Sequence, residues 1–344
     1  MNKAIGLLTT SLLAIAAAGT AQARDLTFAS WGGNYQDAQR AAYFEPFSKS
    51  KGIAFVEDTY LGGLAEFKTM ADTGNVIWDV VSVEAGDIQV GCDEGLFEEI
   101  DWDTLGGKED LLPAAVRECG AGTMVVSTGL AYNADSVTEA PANWADFFNT
   151  EKWPGKRGLR AGPKYNLEFA LLADGAAPDE IYDLMATPEG LDRAFAKLDT
   201  IKQDLQFWDA GAQPVEWLAA GNVVMSSSYN GRITSAQDDG KKLKFVWTNN
   251  GYSIDTWAIP ANSPNKELAM EFLQFANTAE PQAEFSTLYP YGPTNVKVAA
   301  MLPPEVAANI PAGDNVKDAF VLDDAFWIDN NDQIAQRWNN WVTQ

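Results

Sequence analysis

The chain has 344 residues, 46% of them apolar, with 48 Asp and Glu against 24 Lys and Arg for a formal net charge of −24. This length and apolar content exclude disorder, and the acidity repels nucleic acid and anionic membrane surfaces. The absence of any histidine removes Ser-His-Asp and Cys-His catalysis and the usual zinc sites, leaving carboxylates, as in glycosidases, as the remaining catalytic option.

The first 23 residues read as a secretory signal. Lys3 gives a positive start, Ile5 to Ala18 is an apolar run broken only by Thr and Ser, and Ala21-Gln22-Ala23 is a small-residue cleavage site followed by Arg24-Asp25. The apolar run is too short to span a bilayer, so the expectation is an exported, periplasmic protein cleaved near Ala23. From Asp25 the pattern alternates: a strand at Leu26–Ala29, a helix from about Tyr35 to Lys49, a strand at Ile53–Glu57, a helix from about Leu64 to Asp72, and a strand at Val80–Val83. Such alternation predicts βαβ units and a largely parallel sheet. Cys92 and Cys119 suit an oxidising compartment and close a loop of about 28 residues, which points to a structural disulfide worth roughly 3.5 kcal/mol.

Between Thr123 and Asn133 two apolar runs flank Ser127-Thr128-Gly129, and Pro141 to Pro154 is rich in tryptophan and helix breakers. A crossing into a second lobe is placed here. That lobe holds Gly158–Ala161, a helix after Asn166, a helix capped by Thr187-Pro188 and running to about Lys202, and the strand Val223–Ser228. A return crossing falls at Ser253–Pro260, after which Ser263-Pro264 caps a helix with Leu268, Phe272, Phe275 and Ala276 on one face. The expected architecture is therefore α/β with two lobes, each a sheet flanked by helices, joined by a two-strand hinge. Lobe one comprises 24–130 and 260–300, and lobe two comprises 131–259 and 301–344. A cleft between hinged lobes is where a small-molecule site is expected.

Twelve Trp and ten Tyr supply candidates for that site, because several stand beside Gly, Pro or polar residues at element ends. Trp31 leads into Gly32-Gly33-Asn34-Tyr35, Trp208 precedes Gly211-Ala212-Gln213-Pro214, Tyr229 opens Tyr229-Asn230-Gly231-Arg232, and Tyr291 opens Tyr291-Gly292-Pro293-Thr294-Asn295. Aromatic faces attract cationic amines and also stack on sugars. Taken singly, core packing or interlobe contact is the more frequent role for each ring. Arg232, one turn past a strand end, and Asp255, on the return strand, would hold the carboxylate and the ammonium of a zwitterion, or else pair with each other. Gly32-Gly33 completes neither a dinucleotide nor a phosphate-loop motif, and Glu98-Glu99 with Asp101 reads as a solvated edge. No cofactor and no metal are expected.

Over nearly its whole mature length the chain resembles the extracytoplasmic solute-binding proteins of ABC importers, in the spermidine/putrescine-binding branch. The resemblance rests on Trp31–Tyr35, Trp78-Asp79-Val80-Val81-Ser82-Val83, Pro154-Gly155-Lys156-Arg157-Gly158-Leu159-Arg160, Trp208 with Gly211-Ala212-Gln213, Ser227 through Arg232, Asp255-Thr256-Trp257-Ala258-Ile259-Pro260, and Tyr291–Asn295. It implies a periplasmic-binding-protein-like fold of type II and a monomeric receptor that presents an amine-bearing solute to a membrane permease. It also implies pocket roles for Trp31, Tyr35, Ser82, Glu168, Tyr229, Asp255 and Tyr291; Trp208, Arg232 and Trp257 complete the candidate set. Three departures weaken a polyamine site: one extra residue between Trp31 and Tyr35, Tyr165 where that pattern has Asp, and Ser253 where it has Trp. With a carboxylate lost and Arg232 present, an ω-amino acid such as 4-aminobutyrate ranks ahead of putrescine, since an unpaired guanidinium opposes a pure polycation. The alternative from another class is a secreted, carboxylate-dependent carbohydrate hydrolase.

Overall fold

The computed structural model describes residues 24–343; the expected signal segment lies outside them. Among the described residues, ten strands form one mixed sheet: β1 Leu26–Ser30, β2 Phe55–Thr59, β3 Val80–Val83, β4 Val116–Arg117, β5 Gly120–Asn133, β6 Arg157–Arg160, β7 Leu205–Trp208, β8 Met225–Tyr229, β9 Leu243–Ala258 and β10 Phe320–Val321. The order is β2-β1-β3-β9-β5-β8-β6-β7, with β10 on β9 and β4 on β5. The two ends are parallel, β2-β1-β3 and β8-β6-β7, as the alternation predicts. The middle, β3-β9-β5-β8, is antiparallel.

Strands β1 and β3 are buried along their whole length because helices cover both faces, which is why they read as unbroken apolar runs. The helical stretch Gly33–Lys51 contains a π-helical segment, Arg40–Phe44, and stops at Gly52 in the left-handed region. The Thr187 side chain accepts from Gly190 N, with Pro188 in the first helical turn, as predicted. Cys92 and Cys119 form the expected disulfide, Cα atoms 5.6 Å apart.

The expectation of short crossing runs at 123–133 and 253–260 is corrected: each belongs to a long strand. β5 and β9 pair from Ala121↔Trp257 to Asn133↔Leu243, with irregularities at Gly122/Met124 and Thr128/Leu130. The polar break at Ser127-Thr128-Gly129 does not end the strand. Ser127 Oγ donates to Asn250 Oδ1 at 2.6 Å, and a Cβ on Gly129 would meet the Phe245 ring at 2.5 Å. The helix expected to be capped by Ser263 starts at Lys266; Ser263 instead donates to the buried Asp79 at 2.6 Å. Glu98 pairs with Lys266 in an irregular segment.

Two large apolar clusters lie along this sheet. One gathers Leu26, Phe28, Phe44, Met124, Trp257 and Phe272, with Phe28 stacked on Phe44 at 4.1 Å. The other gathers Leu130, Trp144, Phe169, Met225, Phe320 and Trp338, with Trp144 stacked on Phe169 at 3.7 Å. β5 contributes to both, as does β9.

Candidate functional site

A cleft of about 1110 Å³ opens where the strand ends of the two halves face each other. Its floor follows from strand alternation: Met124 and Val126 of β5 and their registered partners Asp255 and Ser253 of β9 share one face. One wall holds Trp31 to Tyr35, after β1, and Glu84 to Asp87, after β3; the other holds Arg160 to Tyr165, after β6, with Tyr229 and Arg232 at the end of β8. Tyr289, Tyr291 and Asp324 complete the lining. The walls are thus built at carboxyl ends of strands, the usual ligand position in α/β sheets.

Rings run continuously along one side. Trp31 stacks on Tyr35 at 5.4 Å, Tyr35 meets Tyr289 edge-on at 5.6 Å, and Tyr289 meets Tyr291 at 5.0 Å. Among the described residues, the buried Trp31 Nε1 finds no hydrogen-bond acceptor. Charge is divided across the gap. Among the described residues, Arg160, Lys164 and Arg232 form no ion pair. On the floor, burial and then the Glu84 charge push the Asp255 carboxyl up to about 8. Glu84 is itself raised by burial and by Asp87, against the lowering effect of Arg160 and Lys164. Asp324 pairs with Arg117 at 3.2 Å.

Six of the ten candidates, Trp31, Tyr35, Tyr229, Arg232, Asp255 and Tyr291, line this cleft; Ser82, Glu168, Trp208 and Trp257 do not. Ser82 lies fully buried, accepting from Gln39 at 2.9 Å. Glu168 accepts from Trp327 Nε1 at 2.8 Å and from Tyr182 at 3.2 Å, and burial pushes it up to about 7. Trp208 donates to Ser227 at 3.1 Å and backs Tyr229 edge-on at 5.6 Å. Trp257 continues the face of Asp255 but sits in the core against Phe272 at 5.4 Å.

Sequence reasoning missed Glu84, Asp87, Arg160, Lys164 and Tyr289. The available signal for four of them was their place at strand ends: Glu84 and Asp87 follow β3, Arg160 closes β6 and Lys164 follows it. Tyr165, noted only as a departure, lines the cleft with φ 69, a strained value for a tyrosine.

A family profile for bacterial extracellular solute-binding proteins matches residues 42–312. The chain is 47% identical over 333 residues to the gamma-aminobutyric acid-binding protein of Pseudomonas aeruginosa, covering 96% of this chain and 95% of that one. A solved GABA receptor structure is 36% identical with a TM-score of 0.80, covering 93% and 98% of the two chains. An ABC transporter substrate-binding protein from Bradyrhizobium japonicum is 32% identical with a TM-score of 0.82, covering 92% and 99%. Each is named as a binding protein or receptor, and none as a hydrolase.

Proposed function

We propose, from the premise that this chain belongs to the bacterial extracellular solute-binding proteins, that the solute it delivers to its ABC importer is 4-aminobutyrate. The carrying observation is the distribution of charge around the cleft, with Arg160, Lys164 and Arg232 on one wall, in no ion pair among the described residues, Glu84 on the other wall and Asp255 on the floor between them. A zwitterion satisfies both sides: its carboxylate takes the guanidinium and ammonium donors, and its own ammonium restores ionisation of Asp255. Trp31, Tyr35, Tyr229 and Tyr291 flank the short alkyl chain and the cation. The close relative named for gamma-aminobutyric acid supports the same choice. Putrescine ranks second, because it leaves the cations without a partner.

In this reading the lobes 24–130 with 260–300 and 131–259 with 301–344 close over the ligand by bending β5 and β9, and the closed monomer is recognised by a membrane permease. The signal segment directs export to the periplasm and is cleaved near Ala23. No bond is made or broken. Calorimetry of the purified protein with 4-aminobutyrate and with putrescine tests the assignment: tight binding of the first and weak binding of the second is expected, and the reverse order overturns it.

A further inference from the structure

Beneath the aromatic side of the cleft lies a set of buried polar side chains bonded to one another. Gln39 is fully buried, as are Ser30 and Ser82. Gln39 Oε1 accepts from Ser30 Oγ at 2.7 Å, while Gln39 Nε2 donates to Ser82 Oγ at 2.9 Å and to the Tyr35 hydroxyl at 2.8 Å. Ser30 Oγ also lies 3.3 Å from Ser82 Oγ. The amide's one acceptor and both donors are therefore engaged, which fixes its orientation. Gln39 immediately precedes the π-helical segment Arg40–Phe44, a helix irregularity that often marks functional positions.

The consequence falls on Tyr35, which lines the cleft. Its oxygen accepts from Gln39 Nε2, which leaves its own phenolic proton free to donate. Asp255 shares that lining, and burial first, then the Asp255 charge, raise the Tyr35 hydroxyl well above the usual tyrosine range. We propose that Gln39 is a positioning residue of the ligand site: through its amide it fixes the Tyr35 hydroxyl, and with it the ring face that lines the cleft beside Asp255 and receives the solute's ammonium group. This rests on the reading of the cleft as an amine site.

The test is a double-mutant cycle on the full mature protein, with 4-aminobutyrate affinity measured by calorimetry. Gln39→Met keeps the side chain's length and removes its hydrogen bonds. In the presence of Tyr35 it should weaken binding about tenfold, and in the Tyr35→Phe background by less than about twofold. A role confined to packing would give equal losses in both backgrounds, and that result, or no loss in either, overturns the proposal. If Gln39→Met does not fold, Ser30→Ala, which releases the amide oxygen, carries the same comparison with an expected loss of about threefold against none. Wild-type protein is titrated first. Failure of wild type to bind refutes the ligand assignment, whereas wild-type binding with an unchanged constant in Gln39→Met refutes the role of Gln39 alone.

Discussion

With the solute's ammonium group received by Asp255, as proposed, the affinity depends on pH in a definite direction. Burial and Glu84 hold the Asp255 carboxyl at about 8 in the free protein, whereas a ligand ammonium favours the ionised form and lowers it. The groups around it are Glu84, Asp324, Arg117 and the hydroxyls of Tyr35, Tyr229 and Tyr291. A carboxyl depressed by binding contributes affinity that is complete above its free value and is lost as pH falls below it. Affinity for 4-aminobutyrate should therefore be highest near pH 9 and fall about tenfold per unit below pH 8 until the bound-state value is reached. The ligand's own charges are constant over this window, its amine titrating near 10 and its carboxylate near 4 by analogy with Lys and Glu. Calorimetry in buffers of different ionisation enthalpy gives a second reading: at pH 7 about 0.9 proton should leave the protein per ligand bound. A flat dissociation constant between pH 6 and 8 with no proton release would refute the reasoning. In Asp255→Asn the pH dependence should vanish along with most of the affinity, while the ligand-free protein melts higher than wild type at pH 9 and equally at pH 4, because the folded state of the wild type binds the extra proton only between those limits.

Arg160→Ala and Arg232→Ala should each weaken 4-aminobutyrate about tenfold or more by calorimetry while leaving putrescine unchanged or tighter, since only the first ligand carries a carboxylate; equal losses for both would return these cations to a structural role. Glu168→Gln should leave the dissociation constant unchanged, because Glu168 faces Trp327 and Tyr182 and not the cleft, and should raise the melting temperature above pH 7, where the native carboxylate is ionised in a buried site. Replacing both Cys92 and Cys119 by Ser should lower stability in urea by about 3.5 kcal/mol, with ligand affinity retained because the bridge lies outside the cleft lining.

The parallel ends of the sheet were legible because their strands are short and apolar between amphipathic helices; β3, Val80–Val83, matches its expected bounds. The antiparallel centre was not. Ser127 and Asn250 look like breakers in sequence, yet they satisfy each other inside the sheet, so a polar interruption that reads as a loop is a cross-strand contact. The rings Trp31, Tyr229 and Tyr291 carried a visible cue in their Gly-rich surroundings. Trp257 carried the same type of cue in the Asp255 motif, but two residues along a strand moved it from the floor into the core. Arg160, Lys164, Glu84 and Asp87 look like any solvated charge, and only the pairing of strands brings them to one gap. Glu168 followed its family position, but its hydrogen bonds to the C-terminal helix at Trp327 draw it away.

The unbroken β5–β9 ribbon also governs how the molecule comes apart. Each strand feeds both apolar clusters, so heat or urea finds no seam along which one half could melt and leave the other standing. Loss of structure should proceed as one concerted event, reported alike by indoles as distant in sequence as Trp31 and Trp341. A solute gripping only a handful of side chains then protects the entire chain against unfolding, by proteases as well as by temperature.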